Sequence, residues 1–414
     1  MGVVKTTRQK GWVKVDRYAW VILGVVLLAS ISPTMNFLKP PGIASTLIPY
    51  FGIGVDQFGW MMSIFSLMGV VFALPAGLIM HRLGVKKVVL MSVGSCLVGA
   101  LIGAFSTNFG VMLFSRFLEG IGESLVFVAA PTAIFAWFPQ ERQGFALGVW
   151  SICMPFGSFV MLNTSPHLTA AFGWRSVWLM GAALAAVAFV LYAIFFRMPE
   201  KSASAEGAVI MEQSTTARPT LRDLFGVLRH KGIWFAGIIF GCYNFVVPSV
   251  VGTYYPYFLE TQGGIANAVA SSVSSIPEII GIIGGPFVGL AADRLGLRKA
   301  LLVSGCFALA IVGTAVFMAT SLGWAIVLMC LLGIFAPFVT TGVRLVIPEI
   351  VGSDHLKGGM GNAVLSFCQN LAGLIGPIIA AAVVLHMGWA QIGYALILPI
   401  FAIAVAFSLF IKSR

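Results

Sequence analysis

Charge is scarce in this sequence. Asp, Glu, Lys and Arg supply 9% of its 414 residues, where a soluble domain carries about 25%. So few charges cannot keep a water-facing surface of that size hydrated, which excludes a soluble globular fold. Histidines are few as well, and the five at positions 81, 167, 230, 355 and 386 lack the spacing of metal ligands. The six cysteines, Cys96, Cys153, Cys242, Cys306, Cys330 and Cys368, all lie in apolar runs, where packing is their role. No glycine-rich phosphate loop or Walker-type motif occurs, so ATP hydrolysis is not encoded here. No metal or cofactor is expected, and any energy has to come from a gradient or a partner.

What the chain has instead is apolar length. Hydrophobic residues make up 59% of it, and windows of about 19 residues reveal twelve candidate membrane spans. They run over 18–38, 52–79, 88–107, 109–137, 145–170, 174–196, 232–258, 267–291, 299–319, 323–348, 358–384 and 389–411. The expectation is an all-α membrane protein in a lipid bilayer. The apolar run near the N-terminus is long and has no clear small-residue cleavage site, so it reads as a retained helix rather than a signal peptide.

The net charge of +11 is a matter of topology. Of the 25 cationic residues, 21 fall before the first span, in alternate loops or in the C-terminal tail, with Lys39 and Arg175 on the opposite side and Arg116 and Arg344 within spans. By the positive-inside rule both termini are cytoplasmic. A basic face generated in this way implies no nucleic-acid partner.

A polar stretch, "PEKSASAEGAVIMEQSTTARPT" at 199–220, reads as a flexible linker. It separates a six-helix bundle at 1–198 from another at 232–414, and residues 221–231 alternate apolar and basic positions as a short interfacial helix would. The halves repeat one another. "GLIMHRLGVKKVVL" (77–90) and "GLAADRLGLRKALL" (289–302) align without a gap, seven of fourteen positions being identical, and "RQGFALGVWSIC" (142–153) echoes "KGGMGNAVLSFC" (357–368). Such duplication places a substrate site between the repeats near the bilayer midplane.

The pattern Gly289, Asp293, Arg294, Gly296, Arg298 and Lys299 resembles the signature loop of the major facilitator superfamily. That resemblance covers essentially the whole chain. It implies two six-helix bundles that rock about a central cavity, with His81, Arg82, Gly84, Asp293, Arg294, Gly296 and Arg298 in gating loops. His81 stands where the family usually has an acidic residue.

Charges inside the apolar runs are the functional candidates, because each costs about 2.5 to 3.5 kcal/mol at the bilayer centre. In "FSRFLEGIGES" (114–124), Arg116, Glu119 and Glu123 fall within about 60° of arc on one helix face. Gly120 and Gly122 would let another helix approach closely. One arginine cannot compensate two glutamates, which suggests a proton switch in which a protonated Glu frees Arg116 for a substrate anion. A structural ion pair stapling this helix to a neighbour is the competing reading.

Arg116, Glu123, Trp137-Phe138-Pro139 and Arg142 resemble the fourth-helix region of the anion:cation symporter branch of the superfamily. The resemblance implies anion handling by Arg116 and proton coupling through Glu123. The first helix departs from that branch, having no acidic and basic pair inside it.

Other polar points complete the candidate set. Glu278, just after Pro277, is a second carboxylate for proton traffic. Arg344 could bind an anion, snorkel, or pair with Glu349. Asn36, Tyr243, Asn244, Gln369 and Asn370 are possible cavity-lining groups, while Tyr254 to Tyr257 read as an interfacial aromatic belt. The expectation is a monomeric secondary transporter of a small organic anion, driven by protons, in a bacterial inner membrane. Proton-coupled efflux, and a non-transporting receptor or enzyme, stay open as alternatives.

Overall fold

The structure, a computed structural model, describes residues 15–72, 75–199, 231–295, 298–351 and 355–411. Twelve helices in it are long and apolar enough to cross a membrane, and no strand occurs among the described residues. The expected linker and interfacial helix at 199–231 lie almost wholly outside the described residues.

The first half comprises α1 (Arg17–Phe37), a 3-10 turn (Pro41–Ile43), α2 (Ala44–Phe51), α3 (Val55–Phe72), α4 (Pro75–Leu83), α5 (Val85–Ala104), α6 (Phe109–Trp137), α7 (Gln140–Ser151), α8 (Cys153–Phe172) and α9 (Arg175–Phe195). The second comprises α10 (Lys231–Asn244), a π-helical stretch (Phe245–Val251), α11 (Gly252–Thr261), α12 (Asn267–Ser274), α13 (Ile276–Leu295), α14 (Arg298–Val316), α15 (Leu322–Val351), α16 (His355–Met387), a second π-helical stretch (Ile392–Ile397) and α17 (Leu398–Phe410).

Local chemistry sets the ends and breaks. Asp16 caps α1 by accepting from Tyr18 N at 3.0 Å, and Asn108 caps α6 by accepting from Val111 N at 2.9 Å, each satisfying a donor that a helix start leaves free. Gly84 takes a φ of 78°, which an L side chain resists, and so turns the chain sharply between α4 and α5. Pro248 has no N–H for the Asn244 carbonyl. Ser249 Oγ donates to that oxygen instead, at 2.8 Å, and the helix widens into a π turn. Pro277 is accompanied by a break between α12 and α13 at Ser275.

With alternating directions, the outer ends of α1 and α17 share one face, here the terminal face. Helix α2 and the turn at Gly173 lie on the opposite, far face. Helices α1 and α6 pack within the first half, and α10 and α15 within the second. The halves meet where α3 lies along α16, where α8 meets α12 and α13, and where the 3-10 turn meets α11 and α12.

Those joints cluster toward the far face. Tyr254 Oη donates to Pro377 O at 2.8 Å, Asn163 Nδ2 to Ser275 Oγ at 2.9 Å, and Ser271 Oγ to Gly42 O at 3.4 Å. Glycines let the helices approach: a Cβ at Gly59 would lie 2.6 Å from Tyr254 Oη and 2.9 Å from Pro377 O. Tyr254 and Tyr255 are fully buried. This corrects the expected aromatic belt, since Tyr254 is part of the seam between the halves.

Candidate functional site

Close packing of α5 on α6 sets the position of the charged face. A Cβ on Gly122 would lie 2.6 Å from Ser92 O, and one on Gly99 would lie 2.9 Å from Ser115 O. Serine hydroxyls reinforce this contact in both directions, Ser92 Oγ donating to Gly122 O at 2.5 Å and Ser115 Oγ to Gly99 O at 2.8 Å. On the other flank, Gly120 abuts the backbone of Phe65 in α3. The glycines read from sequence as contact points are contact points.

Arg116 and Glu119 are completely buried. Both terminal nitrogens of the Arg116 guanidinium are engaged: Nη1 donates to Glu119 Oε2 at 2.6 Å and to Asn36 O at 2.5 Å, and Nη2 donates to Phe37 O at 3.0 Å, while the buried Nε has no hydrogen-bond partner among the described residues. Its carbon sits 4.5 Å from the Phe65 ring centre. Those two carbonyls end α1, where the helix dipole is negative, so Arg116 serves as a cationic cap.

Lys39 is the residue that sequence reasoning missed. It is fully buried, its ammonium 2.5 Å from Glu119 Oε1 and 4.8 Å over the Trp178 ring. Burial pulls this ammonium from 10.5 down to about 8, against the opposing attraction of Glu119. The sequence places it one step past the first apolar run, where it reads as a loop cation. With Lys39 counted, two cations face two carboxylates, Glu119 and Glu123, and the charge excess inferred for this face disappears.

Glu123 lies within electrostatic reach of Arg116 but makes no direct contact with that cluster. It is partly buried and its side chain makes no hydrogen bond or ion pair among the described residues. It lies one turn beyond Glu119 on the terminal-face side, near the middle of the 29-residue α6.

The second half brings three of the other candidates together. Tyr243 on α10 is within electrostatic reach of both Glu278 on α13 and Arg344 on α15. Arg344 is exposed, lies 5.9 Å over the Phe240 ring, and has no carboxylate within ion-pair distance among the described residues. Phe240 and Tyr243 stack at 6.4 Å and 22°. Glu278 is partly buried. The Glu349 side chain, proposed as an alternative partner for Arg344, lies outside the described residues.

The remaining candidates are placed elsewhere. Asn36 is fully buried, donates to Ser32 O at 2.9 Å, and presses toward Gly181 of α9. Asn244 is buried and donates to Phe240 O at 2.7 Å. Asn370 donates to Ser366 O at 2.9 Å and packs against Gly69 in the seam. Gln369 is partly buried next to it. In the gating loops Arg82 and Arg294 are exposed and Arg298 is partly buried. Lys299 ties the second loop to α17 by donating to Leu409 O at 2.9 Å. The side chains of His81 and Asp293, and Gly296 itself, lie outside the described residues.

Comparison with known proteins agrees with this architecture. A sequence profile of the Major Facilitator Superfamily matches residues 21–265 and 249–414. The chain is 25% identical to a hexuronate transporter of Bacillus subtilis, over 88% of this chain and 89% of that protein. It is 22% identical to a protein of Cupriavidus necator named as a probable sulfoacetate transporter, over 95% and 93%. A 4-hydroxybenzoate transporter of Pseudomonas aeruginosa is 26% identical, over 92% and 90%.

Proposed function

The chain belongs to the major facilitator superfamily, and on that premise we propose that it carries a small organic anion across a bacterial inner membrane by proton symport. The family is one of membrane transporters, and the relatives above are named for organic anions. The cation bias of the loops makes the terminal face cytoplasmic. A far face held shut by the seam then corresponds to an arrangement open to the cytoplasm, the side on which symport releases its substrate.

The observation that supports the coupling is Glu123, a partly buried carboxylate with no hydrogen-bond or ion-pair partner among the described residues, one turn from a cluster whose charges are already paired. Arg116 holds the end of α1 here, so the open cation for the anion is Arg344, with Tyr243 beside it. Glu123 takes the proton and Arg344 the substrate. Glu278, within electrostatic reach of Tyr243, is a second carboxylate able to take a proton beside the anion site.

The test uses purified protein in proteoliposomes, with the anion that most stabilises it in a thermal-shift screen. Glu123→Gln should abolish accumulation driven by an inward proton gradient while retaining exchange of labelled for unlabelled substrate. Full concentrative uptake by the variant would remove Glu123 from this role, and extrusion by the unmodified protein would reverse the direction.

A further inference from the structure

Two cations meet one carboxylate at the far end of α1. Glu119 gives one oxygen to Lys39 at 2.5 Å and the other to Arg116 at 2.6 Å, and all three side chains are completely buried. A glycine makes room for the ammonium, since a Cβ on Gly181 of α9 would lie 3.3 Å from Lys39 Nζ, and the Trp178 ring, 4.8 Å away, covers it. The other partners of Arg116 are the neutral carbonyls of Asn36 and Phe37. As the end of a helix they contribute about half a negative charge, so two positive charges face about one and a half negative ones and a positive remainder is left.

The carboxylate placed to absorb this remainder is Glu123. It lies one turn further along α6, within electrostatic reach of Arg116. The other titratable groups that face it, among the described residues, are the Cys96 thiol of α5 and the Cys153 thiol of α8, and a thiol is largely uncharged below about pH 8. With Glu123 ionised, the four charged side chains balance. Without Lys39, Arg116 and Glu119 would already match one another. An ionised Glu123 would then be a surplus negative charge, which an apolar surrounding resists.

We propose that Lys39 is a positioning residue for proton coupling: by taking one oxygen of Glu119 it keeps positive charge on Arg116, and so lets Glu123, a turn away, give up its proton. This rests on the reading of Glu123 as the proton carrier. Burial holds the Lys39 ammonium at about 8, so the charge is supplied below that pH and withdrawn above it.

Infrared spectra of the purified full-length protein test this without any substrate. The C=O band of protonated Glu123 is the one that Glu123→Gln lacks. In the unmodified protein it should fade as the pH is raised from about 5 to about 8. In Lys39→Met it should persist to a pH at least about one unit higher, a tenfold change in proton affinity, with the melting temperature kept. Lys39→Arg, which retains the charge, should restore the fading. Lys39→Gln, which retains a donor toward Glu119 without the charge, should behave as Lys39→Met and takes its place where the apolar chain does not fold. Identical fading with and without the Lys39 charge, or a Glu123 band that pH does not move, would overturn the role of Lys39 and leave anion transport standing. A band shifted as expected, beside uptake indifferent to a proton gradient, would sink the coupling reading and leave the effect of Lys39 on Glu123 intact.

Discussion

Lys39 and Glu123 exchange the roles that their positions in the sequence suggest. Lys39 sits beyond an apolar run and reads as a surface cation, yet the turn after α1 folds it back onto α6, eighty residues away, to pair with Glu119. No local pattern encodes a contact of that separation. The pairing of Arg116 with Glu119 was legible, because i and i+3 are neighbours on any helix. The third member, Glu123, shares the same face but has no hydrogen-bond or ion-pair partner among the described residues. Their mutational signatures should therefore diverge. Glu119→Gln removes the carboxylate that both buried cations share, and leaving buried charge uncompensated costs about 3 to 5 kcal/mol. Glu123→Gln removes a partly buried carboxylate with no ion-pair partner, so stability should hold or rise. Melting temperatures of the two variants in one detergent decide it: a large drop for Glu119→Gln beside an unchanged Glu123→Gln supports the division, and equal drops contradict it.

Helix α11 shows what hydropathy could not supply. The sequence located the seventh span, and Pro248 announced its irregularity, since a missing N–H has to disturb the hydrogen-bond ladder. Which side of that span meets the other half was hidden. In a bilayer the lipid-facing and protein-facing sides of a helix are both apolar, so a tyrosine pair near the end of a span looks like an interfacial belt. Packing makes Tyr254 something else. Its hydroxyl reaches Pro377 O of α16 at 2.8 Å and Val55 O of α3 at 3.4 Å, so one phenol touches both halves at the far face. The expected consequence of Tyr254→Phe is a looser seam. Loss of a hydrogen bond worth about 1 kcal/mol raises the far-open population about fivefold. Rates of thiol labelling at Thr46→Cys, whose position lines a far-face cavity of about 250 Å³ with residues of both halves, should rise accordingly. An unchanged labelling rate would deny Tyr254 a part in closing the seam.

Across the whole molecule, duplication and hydropathy were enough to read two sets of six helices from sequence, but not the side on which they close. Repeat matching finds which helices correspond; it carries no information about the angle between the halves, because rocking preserves the internal packing of each. The seam contacts supply that angle. Its consequence is that a covalent bond across the seam should stop the cycle while leaving each half intact. Asn163 and Ser275 are the suitable pair, on α8 and beside α12, their side chains already 2.9 Å apart. In a background with the six native cysteines replaced, Asn163→Cys with Ser275→Cys should form a disulfide under mild oxidant. Transport should then fall to background and return on reduction. Because the lock holds the far face shut and Arg344 is exposed in that arrangement, labelling of Arg344→Cys from the terminal face should persist in the oxidised protein. Loss of that labelling, or undiminished transport with the bond formed, would show that closing the far face is not the step this seam controls.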